Sequence, residues 1–222
     1  MKTVAFIPIK LNSERLPLKN IKPFRNGQPL IHYILTTLKK VSEIDEVYVY
    51  CSSDEIIKYL PTGVQFLKRE LYYDLPTTRF NEVLSSFAQI VAADTYVLTH
   101  ATAPFISAKT ITEGINKVNI DGYDSAFTVC ELQEFLWKDN RPFNYELLNI
   151  PRTQDLDKMY TETCGMYVYR KQLIVEQDRR IGDNPYLIPV SKIEACDINT
   201  EEDFYLADAI YNYKRQIGEI NE

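Results

Sequence analysis

Glycine is scarce in this chain, with 7 in 222 residues, or about 3% where ~7% is usual. Neither GxGxxG nor GxxxxGK[ST] occurs, which removes the two commonest nucleotide fingerprints, so any phosphate-cradling loop must be built largely without glycine. Only two histidines are present, His32 and His100, on unrelated segments. No Ser/His/Asp or Cys/His arrangement and no zinc spacing runs through them. Cys51, Cys130, Cys164 and Cys196 lie far apart with no CxxC pair, and read as buried thiols in a reducing cytoplasm rather than a disulfide frame. Positive charge is also short: 25 Lys+Arg against 31 Asp+Glu leave a net charge of −6, the wrong sign for a nucleic-acid partner. No apolar run approaches the roughly 20 residues that span a bilayer, and Val4–Pro8 is too short for a signal-peptide core. No membrane association is expected.

What remains is an ordinary globular composition, 45% hydrophobic and 25% charged, at a length suited to one α/β domain over residues 1–222. Apolar runs rich in β-formers at 2–9, 46–51, 64–67, 95–99, 125–129 and 166–169 read as strands. Between them lie helical periods. Leu30, Ile31, Ile34, Leu35 and Leu38 share one face, with Pro29 expected at the first helical position. Phe80, Val83, Leu84, Phe87, Ile90 and Val91 mark a helix over 78–92, a third spans 108–118, and a last one opens at Asn199 or Thr200 and runs to about Gln216. This alternation predicts an α/β fold of three layers around a mostly parallel sheet. Residues 132–163 are polar, aromatic and aperiodic, and read as an insertion serving as lid, dimerisation arm or both. Function in such a sheet belongs at the carboxyl ends of its strands.

The first such end carries KLNSERLPLKN (10–20), where Lys10, Arg15, Lys19 and Lys22 are opposed only by Glu14. A solvated basic loop is one reading. An anion site is the other, with cations neutralising phosphate oxygens while Asn12, Ser13 and backbone N–H groups donate to them. Asn12 is the residue expected to stand in for a turn glycine.

IPIKLNSERLPLKNIKPF (7–24) resembles the amino-terminal signature of the acylneuraminate (CMP-sialic acid) cytidylyltransferases. THATAPFIS (99–107), IPRTQDL (150–156), ETCGMYVY (162–169) and DINTEEDFYLAD (197–208) resemble four further blocks of that family, in the family's order. The resemblance implies a Rossmann-like fold of the nucleotide-diphospho-sugar transferase type. It also implies Mg²⁺-dependent transfer of CMP from CTP to the anomeric hydroxyl of a nine-carbon α-keto acid sugar, with release of pyrophosphate. Lys10, Lys19 and Asp197 would be the catalytic residues. Lys10, Asn12, Ser13, Lys19, Asn20, His100 and one of Lys68 or Arg69 would face the nucleotide; Thr102, Lys138, Arg152 and Tyr160 the sugar; and Asp197 with Asn199 the metal. Residues 132–163 correspond to the family's dimerisation region, so a homodimer is implied.

Each assignment has a plainer counterpart. Arg152 suits a substrate carboxylate or an intersubunit ion pair. Phe135, Trp137 and Tyr160 suit a sugar wall or simple packing, and Asn199 with Glu202 also fits a helix cap. Three positions depart from the family pattern. Lys10 replaces an arginine and loses its planar fork. His100 replaces a glutamine and is expected to carry charge below about pH 6.5. Asn199 replaces an aspartate, which implies a weaker hold on Mg²⁺. These departures leave open another sugar acid (octulosonic, legionaminic or pseudaminic) or a nucleotide-binding subunit weakened in catalysis.

Overall fold

The order of apolar strands and amphipathic helices resolves into one seven-stranded sheet covered on both faces. The computed structural model describes residues 1–219; the last three positions of the expected 1–222 domain lie outside the described residues. The strands are β1 (Thr3–Ile9), β2 (Glu46–Cys51), β3 (Val64–Lys68), β4 (Thr95–Thr99), β5 (Ser125–Leu132), a two-residue pair β6 (Trp137–Lys138) and β7 (Arg141–Pro142), β8 (Met159–Arg170) and β9 (Pro185–Pro189). The helices are α1 (Leu30–Leu38), α2 (Phe80–Ile90), α3 (Ala108–Asn119), α4 (Lys171–Gln177) and α5 (Glu201–Gln216). Spatial order in the main sheet is β3-β2-β1-β4-β8-β5-β9. All neighbours run parallel except β8, which is antiparallel to both β4 and β5.

Strand residues alternate between two cores, which is why the central strands read as unbroken apolar runs. Ala5, Ile7, Val47, Val49 and Val97 pack under α1 and α3, with Ile31, Ile34, Leu35, Ile111 and Ile115. Val4, Phe6, Tyr50, Tyr96 and Leu98 pack under α2 and α4, where Phe6 stacks on Phe87 with ring centroids 4.0 Å apart. A third cluster joins the loop after β1 to α5: Leu16 and Phe24 meet Leu30, Tyr33, Ile198, Phe204 and Tyr211.

Several local expectations change. Pro29 is the N-cap of α1 rather than its first helical residue. Thr200, not Asn199, caps α5, with Asp203 rather than Glu202 completing the box: the Thr200 hydroxyl accepts from the Asp203 N–H while Asp203 accepts from the Thr200 N–H at 2.7 Å. The strand expected at 166–169 begins at Met159, so its first half lies inside the stretch read as an insertion. Helix α4 and edge strand β9 were not expected at all. Of the cysteines only Cys51 is buried; Cys130 and Cys196 are half-buried, Cys164 is exposed, and all four are free thiols.

Candidate active site

The carboxyl ends of β1, β3 and β4 deliver Lys10, Arg69 and His100 to one edge of the sheet. Because β8 runs the other way, its first half, which carries Glu162 and Cys164, arrives at that same edge. There β8 carries three more residues than its partner: Phe127 pairs with Tyr167 and Val129 with Glu162. The surplus forms a bulge, pinned by the Thr128–Thr163 hydroxyl pair at 2.6 Å and by the Gly165 N–H donating to the Thr163 hydroxyl. Cys164 sits at its crest with φ 57° and lines a cavity, as bulges beside binding sites commonly re-aim a side chain.

Three adjoining hollows follow this edge. One, of about 420 Å³, is bounded by Lys10, Ser13, Arg15, Lys19, His100 and Thr102. A smaller one, of about 260 Å³, shares Lys10 with the first and adds Arg69, Tyr73 and Thr78. The largest, of about 610 Å³, lies between Phe80, Asn81, His100, Arg180 and Asp197. His100 and Thr102 line both the first and the largest, so these form two halves of one cleft.

The loop after β1 holds its shape with side chains instead of glycine. Leu18, not Asn12, takes the left-handed backbone, with φ 56°. The buried Asn20 amide donates to the Lys10 carbonyl at 3.0 Å, closing the loop on itself. Lys19 Nζ donates to the Ile198 carbonyl at 2.9 Å, and Arg15 Nη2 donates to Asn199 Oδ1 at 2.7 Å. Burial lowers the Lys19 pKa against the pull of Asp197. Asn12 is exposed and lies outside the hollows.

The remaining expected residues divide by place. Arg69 is buried and lines the smallest hollow beside Lys10, with its Nε and Nη2 donating to Asp74 Oδ1 at 3.1 and 2.5 Å; Lys68 faces solvent and pairs with Asp54. Asp197 lines the large cavity and accepts from Asn199 Nδ2 at 2.7 Å, so Asn199 bridges Arg15 and Asp197 through opposite ends of its amide. Burial, aided by the nearby Arg180 cation, pushes His100 down to about 4, so its ring is neutral well below the pH 6.5 expected from its type. Lys138, Arg152 and Tyr160 are exposed and line none of the three hollows of their own chain. Arg152 is held by Asp155, with Nε at 2.7 Å and Nη2 at 3.0 Å from its two oxygens.

Asn81, Arg179 and Arg180, which the sequence does not single out, also line the large cavity, as does Phe80, expected only on the apolar face of a helix. The adjacent Arg179–Arg180 pair in an acidic chain was the available signal. Among the described residues no group of three or more His, Cys, Asp or Glu side chains is placed to hold a metal ion unaided. Asp197 offers one carboxylate, while Asn199 already spends its amide oxygen on Arg15. Such a set suits Mg²⁺ only as a shared ligand, since Mg²⁺ is commonly held by one or two carboxylates plus phosphate oxygens and water.

A cytidylyltransferase family model matches residues 4–217. The chain is 27% identical over 214 residues to N-acylneuraminate cytidylyltransferase A of Danio rerio, covering 92% of this chain and 49% of that protein. It is 23% identical over 232 residues to a pseudaminic acid cytidylyltransferase of Campylobacter jejuni, covering 97% and 99%. The chain thus spans about half the length of the fish relatives it matches. Among solved structures, a CMP:2-keto-3-deoxy-manno-octonic acid synthetase complexed with CTP superposes with a TM-score of 0.73 at 14% identity, covering 96% of this chain and all of the other. A 4-diphosphocytidyl-2C-methyl-D-erythritol synthase from Anaerococcus prevotii gives 0.69 at 13%, covering 95% and 96%. The fold is that of these nucleotidyltransferases, and the chain belongs to the cytidylyltransferase family, with the acylneuraminate cytidylyltransferases whose motifs it resembles.

Proposed function

We propose that the protein transfers CMP from CTP to the anomeric hydroxyl of a sialic acid or a related nonulosonic acid, releasing pyrophosphate. The observation that carries this reading is the two-part cleft: a basic half around Lys10, Arg15 and Lys19 opens, across His100 and Thr102, into a roomier half that holds Asp197. A nucleoside triphosphate fits the first half and a sugar acid the second, with the α-phosphorus at their junction.

Transfer needs the sugar hydroxyl in line with the departing pyrophosphate, and both substrates are anions, so positioning and charge supply most of the catalysis. Lys10 and Lys19 offset the triphosphate and the charge that grows on pyrophosphate as it leaves. Arg15, steadied by Asn199, adds a third cation beside them. Asn20 holds the Lys10 carbonyl and keeps the loop open for the phosphates. Neutral His100 and the Thr102 hydroxyl offer hydrogen bonds without a further charge at the junction. Asp197 is the acidic side chain lining the sugar half, and with nucleotide phosphates it would hold Mg²⁺, which when bound supplies further charge compensation for the leaving group.

The same reading makes the protein a homodimer. Trp137, Phe143, Leu147, Leu148 and Ile150 are exposed along residues 137–150, with Leu148 fully so. An apolar arm of this kind is expected to be covered by a partner. It carries Lys138, and Arg152 and Tyr160 follow close by, so these three would serve the partner's cleft instead of their own. A cytoplasmic location suits the four free thiols; among the described residues no helix is long and apolar enough to cross a membrane.

Pyrophosphate release with CTP, Mg²⁺ and N-acetylneuraminic, legionaminic, pseudaminic or octulosonic acid tests the reading. Turnover on at least one is expected, with Asp197→Ala lowering it by two orders of magnitude or more. CTP binding without turnover on any of the four would overturn it. The match to the Campylobacter enzyme across nearly its whole length favours including pseudaminic acid from the outset.

A further inference from the structure

The wall of the sugar half contains a guanidinium that the rest of the fold has already oriented. Arg180 lies 3.8 Å over the Tyr167 ring and 5.4 Å from the Phe80 ring centroid. Its Nη2 donates to Glu162 Oε1 at 3.1 Å, and that carboxylate also accepts from the Tyr167 hydroxyl. The arginine side chain is 22% exposed and lines the large cavity. Stacking fixes the plane of the fork and Glu162 fixes its rotation. One of its five N–H groups has a hydrogen-bond partner among the described residues, which leaves paired donors for a second anion.

We propose that Arg180 binds the carboxylate of the sugar acid and sets the selectivity for acidic sugars, within the CMP-transfer reading above, on which the assignment rests. The state of the competing arginines supports this. Arg152 is the other arginine considered for that carboxylate, but it is 72% exposed and already closed in a two-point pair with Asp155. It would have to exchange one carboxylate for another. Arg179 lines the cavity too, but its fork is divided between Asp183 and Gln177. A preorganised and half-satisfied fork loses less freedom on binding than either.

The test uses the sugar acid with the highest turnover and its methyl ester, at saturating CTP. Wild type is expected to favour the acid over the ester by about thirtyfold in kcat/KM. Arg180→Gln should raise the KM for the acid by a similar factor, leave the KM for CTP within twofold, and erase the preference. Arg180→Lys, which retains the charge and the ring contact, guards against loss of the fold and should reduce the preference about tenfold. An undiminished preference in Arg180→Lys, or its loss in Arg152→Gln but not in Arg180→Gln, would overturn the assignment while leaving CMP transfer intact. Absence of turnover by wild type on every sugar acid would remove both.

Discussion

The pair Arg69–Asp74 connects stability to the small hollow that it shares with Lys10. Both side chains are buried, at 6% and 7% exposure. One Asp74 oxygen accepts from Arg69 at 2.5 and 3.1 Å, the other accepts from the Ser52 hydroxyl at 2.5 Å, and the Asp74 carbonyl accepts from Lys10 Nζ at 3.4 Å. Asp74→Ala leaves a buried guanidinium with no counter-charge and a buried hydroxyl with no acceptor. Breaking such a pair costs about 3–5 kcal/mol, against 0–1 for a surface pair. With a urea m-value of about 3 kcal/mol/M for a chain of this size, the midpoint should fall by about 1–1.7 M. The melting temperature should fall by roughly 6–20 °C, at about 2–4 °C per kcal/mol. Removing both charges together is different, because the desolvation of each ion is relieved as their attraction is lost. Arg69→Met/Asp74→Leu should therefore be more stable than Asp74→Ala, with a coupling of at least about 2 kcal/mol. The double variant, restored in stability, should still bind CTP about tenfold more weakly, since a hydrogen bond to a charged group contributes about 1.5–3 kcal/mol. Urea titrations of wild type, Asp74→Ala, Asp74→Leu, Arg69→Met and the double variant, with calorimetric CTP binding, measure all of this. A loss below about 1 kcal/mol in Asp74→Ala, or additive effects in the double variant, would refute the reasoning.

Three further outcomes are expected. His100 sits near 4 in the folded protein and near 6.5 when unfolded; its folded value is depressed, so stability is retained above pH 6.5 and lost as the pH falls toward 4. About 2 kcal/mol should be missing at pH 4.5 relative to pH 7.5, and His100→Gln should remove that part of the slope in urea titrations. Alkylating Cys164, the exposed thiol on the cavity wall, should abolish sugar turnover while CTP binding persists; modification confirmed by mass spectrometry with full activity would show the cavity is not used. Thr200→Ala should cost about 1 kcal/mol by uncapping α5, read as a 2–4 °C drop in melting temperature.

Much of the scaffold was legible because burial on two faces writes itself as apolar runs, and burial on one face as a 3.6-residue period. β1, β2, β4, α1 and α3 follow that rule closely. β9 did not, because Pro185 and Pro189 read as loop residues; they are tolerated at the edge of the sheet. The first half of β8 was obscured by its polar residues and by a bulge, which depends on pairing with β5 and not on its own composition. The basic loop was visible as a local charge excess, yet the residue with left-handed backbone is Leu18, which composition would never nominate. The choice between Lys68 and Arg69 turned on which way a strand end points, and Arg180 joins the cleft only because segments near 80, 100, 164, 180 and 197 converge in space. No spacing within one segment announces that.

The clasp between the loop after β1 and the turn before α5 also dictates when the cleft comes into being. Arg15 reaches Asn199 across 184 positions, Lys19 reaches Ile198 and Lys22 reaches Glu201 across 179, and Arg25 reaches Asp208 across 183. Closing such long loops is slow and yields nothing until both ends are present. On the ribosome the basic loop is made well before its partners, and it has nothing to fasten to until residues 197–208 have been synthesised and α5 has docked on Phe24 and Tyr33. Fastening of the basic loop is therefore a late event in folding, and the nascent chain carries an unclasped basic segment throughout the interval between the two.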